Sequence, residues 1–80
     1  MTLRPGQRVA FSGHFLSART DLEARARRAG LRVDDVVTES TDVLVANDAG
    51  SGEPAVRAAL VHGVRLLDEY TFEEHVSLVA

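Results

Sequence analysis

The sequence has no cysteine, no tryptophan and no lysine. Without cysteine there is no disulfide framework, and a thiolate zinc site is excluded outright. Without lysine the phosphate-binding pattern G-x-x-x-x-G-K-[ST] is excluded as well. Aromatics are scarce, three Phe and one Tyr, so the core must be built from many small Val, Leu and Ala contacts. No apolar run approaches the ~20 residues of a membrane-spanning helix, and the N-terminus lacks the charged-then-apolar pattern of a secretion signal. A cytoplasmic protein with no membrane partner is the expectation.

What is present is the material of one small globular unit. Eighty residues, 45% hydrophobic and 26% charged, fit a single domain over residues 1–80 with its core at about 4–78. A chain of this size buries about 60–65% of its unfolded surface. It reads as a piece of a larger protein. The net charge of −3 conceals an asymmetry: residues 1–32 hold seven Arg against Asp21 and Glu23, while residues 33–80 hold two Arg against ten acids. All nine basic residues are Arg. Two explanations stand side by side, the codon bias of a GC-rich genome and a positive face for oxyanions, which guanidinium binds bidentately.

Along the chain, Arg8 to Phe11 reads as a strand ending at Ser12-Gly13. Thr20-Asp21-Leu22-Glu23 has the form of a capping box, so a helix is predicted with Thr20 as N-cap, Leu22, Ala26 and Ala29 on its buried face, and Gly30 at its end. Leu31 to Val33 and Asp42 to Ala46 read as strands, with Val36 and Val37 in the second strand or the loop after it. Asn47 to Gly52 reads as a loop. Pro54 fits the first turn of a second helix capped by Glu53 or Ser51, with Val56, Ala59 and Leu60 inward and Gly63 closing it. Val64 to Leu67 is a last strand. Thr71-Phe72-Glu73-Glu74 repeats the capping-box form and opens a helix with a stripe of Phe72, Val76 and Val79. The order β α β β α β α requires crossover connections, hence an α/β fold with a four-stranded parallel sheet of order 2-1-3-4 and helices on both faces.

Catalytic patterns are missing. His14, His62 and His75 share no metal-ligand spacing, and Asp34-Asp35 and Glu73-Glu74 read as solvated or helix-capping charges. Ser12 and His14 belong to no G-x-S-x-G elbow. No catalytic residue, no metal site and no cofactor is expected. A phosphate site is the remaining candidate: Ser12 and the Gly13 amide at the end of the first strand, Arg19 at the first helix N-terminus, and Arg57 on the second helix. The plain alternative is that Ser12 closes a local turn and Arg19 is solvated.

Taken together the chain resembles a BRCT domain, the module carried by NAD-dependent DNA ligases, DNA-damage signalling proteins and some bacterial exonucleases. The residues that carry the resemblance are Pro5-Gly6-Gln7-Arg8-Val9, Phe11-Ser12-Gly13, Arg19, Gly30 before Val33, and Ser40 to Ala46. Asp48 with Ser51, Gly63-Val64, Leu66-Leu67-Asp68-Glu69 and Phe72 complete it. The resemblance implies a three-layer fold and a non-catalytic tether of a DNA replication or repair enzyme, bound to DNA or to a partner protein. Phe72 stands where many members have Trp. Ala55 stands where phosphopeptide-binding members have Lys, so phosphopeptide binding is not expected. The long segment from Asp48 to Gly63 resembles the BRCT domains of epsilon-like 3′–5′ exonucleases of DNA polymerase III, with a DNA ligase as the alternative parent. In the DNA-binding version Ser12, Gly13 and Arg19 would hold a phosphate, with Arg25, Arg27, Arg28 and Arg32 as a basic face. Protein docking or purely structural packing are the other versions.

Overall fold

The computed structural model describes residues 3–48 and 53–79. Its elements are β1 (Arg8–Phe11), α1 (Arg19–Arg28), β2 (Arg32–Asp34), β3 (Val43–Val45), α2 (Pro54–His62), β4 (Arg65–Leu67) and α3 (Glu69–Val79). All pairings are parallel, and the sheet order is β2-β1-β3-β4, as the element order predicts.

Side chains alternate across a strand, so each strand feeds two cores. Val9, Phe11, Val43, Val45 and Leu67 point to one face, under Leu22 and Ala26 of α1 and Phe72 and Val76 of α3. Ala10, Leu44 and Ala46 point to the other, under Val56 and Ala59 of α2. Phe11 is the hinge of the aromatic packing, edge-on to Phe72 at 5.2 Å and to Phe15 at 6.0 Å. The return from β2 to β3 uses no helix. Residues 35–42 cross the second face, where Val37 packs against the α2 side of the core and buried Thr41 donates to Asp34 Oδ2 at 2.9 Å.

Both sheet-facing helix ends use the same device. Gly30 (φ +88°) lets the Leu31 amide reach back to the Ala26 carbonyl at 2.9 Å, and Gly63 (φ +68°) lets Val64 reach Ala59 at 2.8 Å. This left-handed closure satisfies the last carbonyls and tucks an apolar residue into the core. Leu31 and Val64 are therefore part of the helix ends, and the strands after them start one residue later than predicted, at Arg32 and Arg65. β3 is likewise shorter than the apolar run, Val43–Val45.

Two capping expectations are corrected and a third is met in part. Thr20 is not the N-cap of α1, because the helix already begins at Arg19, with the Ala18 carbonyl accepting from Asp21 and Leu22. The loop before it decides this: the Leu16 and Ser17 amides are fixed on Glu69, and the chain enters the helix directly from that anchor. Thr71 does not open α3 either. The helix begins at Glu69, and Asp68 Oδ1 accepts from the Thr71 amide at 2.7 Å, so Thr71 is the capped residue and Asp68 the cap. At α2, Glu53 is the N-cap residue but its side chain makes no cap bond, since its carboxylate is engaged by Ser12. Ser51 lies outside the described residues, as does the side chain of Val79. Leu60 is 67% exposed, so the buried line of α2 is Val56 and Ala59 alone.

Candidate functional site

Two crossovers leave the sheet in opposite directions. The chain goes from β1 to α1 on one face and from β3 to α2 on the other, so a crevice opens between the C-terminal ends of β1 and β3. A cavity of about 240 Å³ lies there, lined by Ser12, Gly13, His14, Ala46, Asn47, Asp48 and Glu53. Gly13 has φ +86°, a left-handed conformation that glycine adopts without strain. The Ser12 hydroxyl donates to Glu53 Oε2 at 2.8 Å, and the Glu53 carboxylate also stands 3.8 Å from where a Gly13 side chain would begin.

Ser12 and Gly13 are thus together, as the sequence predicts, but the cations expected beside them are not. Arg19 lies along α1 with Nε 3.4 Å from Glu23 Oε2, and neither Arg19 nor Arg57 lines the cavity. The acceptor that meets Ser12 is a carboxylate of this chain. An anion entering here has to displace Glu53 and approach Asp48. Ala55 faces a different groove, with Val36, Val37 and Ala58.

A second arrangement at the same edge escaped sequence reasoning. Glu69 is 6% exposed and accepts from the Leu16 amide (2.7 Å), the Ser17 amide (2.8 Å) and Asn47 Nδ2 (3.0 Å). Asn47 Oδ1 accepts from the Glu69 amide at 2.8 Å, and Asn47 Nδ2 also donates to the His14 carbonyl. Burial pushes the Glu69 carboxyl up, but the Ser17 and Leu16 amides and Asn47 outweigh it and hold it below its ordinary value. These bonds pin the loop between β1 and α1 onto the start of α3.

The arginines gather at the opposite edge. The Gly6 amide donates to the Gly30 carbonyl at 2.8 Å, which lays residues 4–8 against residues 28–32. Arg4, Arg8, Arg28 and Arg32 each lie two residues from one of these glycines, and all four are exposed. Arg8 and Arg32 are register partners at the start of β1 and β2. Arg8 pairs with Asp34 at 3.0 Å. Arg4, Arg28 and Arg32 form no ion pair among the described residues. Arg25, expected on this basic face, is drawn instead to Glu73 of α3 at 2.9 Å. Sequence reasoning found Arg28 and Arg32 but not Arg4 and Arg8, since only the glycine-to-glycine bond brings them alongside.

Among the described residues no three of His, Cys, Asp and Glu converge as metal ligands, and no helix is long and apolar enough to cross a membrane. No protein-family model matches the chain. A stretch of 58 residues, 72% of the chain, is 41% identical to a DNA ligase of Desulforapulum autotrophicum, of whose length the chain spans 8%. Among solved structures, the solution structure of the first BRCT domain of the DNA-repair protein XRCC1 superposes with a TM-score of 0.73 at 20% identity, over 92% of this chain and 56% of that one.

Proposed function

Starting from a chain that has the BRCT fold, we propose that it is a non-catalytic binding module of a DNA replication or repair enzyme, and that it touches the DNA backbone through the arginine edge. The observation that carries this reading is the Gly6–Gly30 bond, which lays the backbone beside Arg4 and Arg8 against that beside Arg28 and Arg32, all four exposed, with Arg28 also lining the groove between α1 and α3. Guanidinium groups bind phosphate bidentately, and three of these four have no carboxylate partner among the described residues. At Ser12 and Gly13 the local charge is of the opposite kind, so the phosphate contact belongs at the N-terminal edge of the sheet. For the parent we propose a DNA-metabolism enzyme. The long segment from Asp48 to Gly63 favours an epsilon-like 3′–5′ exonuclease, and the identity with a DNA ligase supports a ligase equally well.

Fluorescence anisotropy with a short duplex at low and at physiological salt tests the reading. Neutralising about three phosphates gives a slope of about −2.7 in log K against log salt. The double variant Arg28→Ser, Arg32→Ser stays folded, because both side chains are exposed, and flattens that slope by about two. Absence of binding at low salt, or unchanged binding by the variant, overturns it. A preference for a 5′-phosphate that Ser12→Ala removes would move the contact to the Ser12–Gly13 crevice.

A further inference from the structure

Leu16 is fully exposed, yet the loop that carries it is tied to α3. Its own amide and that of Ser17 bond to the buried Glu69 carboxylate, and the Ser17 hydroxyl donates to Glu73 Oε1 at 3.2 Å. Beside it on α3 stands Tyr70, 76% exposed. The two side chains flank one cavity of about 350 Å³, whose other lining residues are Asn47, Asp68, Glu69 and Glu73. Among the described residues the lining holds three carboxylates, with Glu69 buried and Asp68 open, and no cation. Arg25 neutralises Glu73 from the α1 side, and the adjoining crevice adds Asp48 and Glu53 through the shared Asn47. An apolar pair within an acidic frame thus occupies the C-terminal edge of the sheet, away from the arginine edge.

We propose that this surface docks a segment of a partner protein that is both basic and apolar, with Leu16 and Tyr70 covered by its apolar side chains and Asp68 facing its cations. Two physical arguments point the same way. A large apolar side chain held fully in water by a rigid loop loses little further freedom when covered, so burial is converted efficiently into affinity. The acidic frame selects against DNA and against acidic partners by repulsion, while attracting Lys and Arg. The arginine edge and this edge then serve different partners, and the two can be occupied together.

The test is a titration of the isotopically labelled 80-residue chain, followed by NMR without DNA. The probe is the capped peptide Lys-Leu-Lys-Leu-Lys, and the controls are Glu-Leu-Glu-Leu-Glu and Lys-Ser-Lys-Ser-Lys. Expected are saturable shifts at the Leu16, Ser17, Asn47 and Tyr70 amides with the first peptide and neither control. Leu16→Ser and Tyr70→Ser each weaken binding about tenfold or more, the loss of one buried apolar side chain. Arg28→Ser with Arg32→Ser leaves it unchanged, which separates this surface from the DNA contact. Four results would overturn the proposal: no shifts, shifts elsewhere, equal shifts from the Lys-Ser peptide, or concentration-dependent shifts of the same amides without peptide. The last would assign the surface to a second copy of the chain.

Discussion

A carboxylate with little access to water stays charged only if hydrogen bonds replace its hydration, and Glu69 obtains them from two backbone amides and Asn47. Its pKa and that of Asp68 are both lowered, Asp68 chiefly by the Thr71 side chain and amide. A carboxyl whose folded pKa is depressed takes up its proton more readily in the unfolded chain. Its stabilisation is fully present above the ordinary values of 4.5 for Glu69 and 3.8 for Asp68, and is lost as pH falls through the lower folded values. The melting temperature should therefore hold from neutral pH down to about 4.5 and then drop. Glu69→Gln should lower it at neutral pH and flatten the acid limb, as calorimetry across pH would register; an unchanged acid limb would refute the assignment. Glycine gives a second comparison at this scale. A side chain at Gly63 meets nothing within 4 Å, whereas one at Gly30 comes 3.2 Å from Pro5 Cβ. Both substitutions to Ala impose a left-handed strain of about 1–2 kcal/mol, and Gly30→Ala should be the costlier in urea denaturation.

Among the elements, β3 is the one buried throughout: Val43, Leu44 and Val45 are each 2% exposed or less. With strands on both sides and helices on both faces, Leu44→Ala should cost about 2–5 kcal/mol, as large-to-small changes in a close-packed core do. The contrast is α2, whose Leu60 is 67% exposed. Leu60→Ala should fall within about 0.5 kcal/mol of the wild type, and equal losses at the two leucines would contradict this packing. The helix closures explain why arginine begins β2 and β4. Gly30-Leu31-Arg32 and Gly63-Val64-Arg65 spend the apolar residue on the helix end, and the next residue opens the strand at the rim of the sheet.

For the whole molecule, size sets the sensitivity. At about 0.05–0.15 kcal/mol per residue, eighty residues hold roughly 4–12 kcal/mol in total. Phe72 is fully buried and stacks edge-on against Phe11, so Phe72→Ala, at about 3–5 kcal/mol, should remove a large share of that total and lower the melting temperature by more than about 10 °C. A melt near the wild-type temperature would contradict this role for Phe72, and two separate transitions would show that the two cores do not unfold as one unit. The charges are also arranged at molecular scale. The basic segment 1–32 supplies one edge of the sheet and the acidic remainder much of the other, so a net charge of −3 describes neither. DNA affinity should accordingly fall steeply with salt, while peptide docking at Leu16, which adds apolar contact to its charge pairing, should fall less steeply.

The sequence by itself determined the element order, the parallel sheet and its strand order, because alternating apolar runs and glycine-ended helical stripes leave only crossover connections. It also determined the two left-handed helix ends and most of the core, from Val9 to Phe72, and the resemblance carried by Phe11-Ser12-Gly13 and its neighbours was legible there. Tertiary structure alone decided where the polar side chains went. Thr20 had the local pattern of a cap, but Glu69 holds the chain there from 53 and 52 residues away, whereas Thr71 lost the cap to a local competitor, Asp68, three residues before it. Glu53 meets Ser12 from 41 residues away, and Arg4 and Arg8 join Arg28 and Arg32 through one backbone bond. Apolar periodicity is a local signal repeated along each element, whereas a long-range hydrogen bond involves two residues and leaves no period to read.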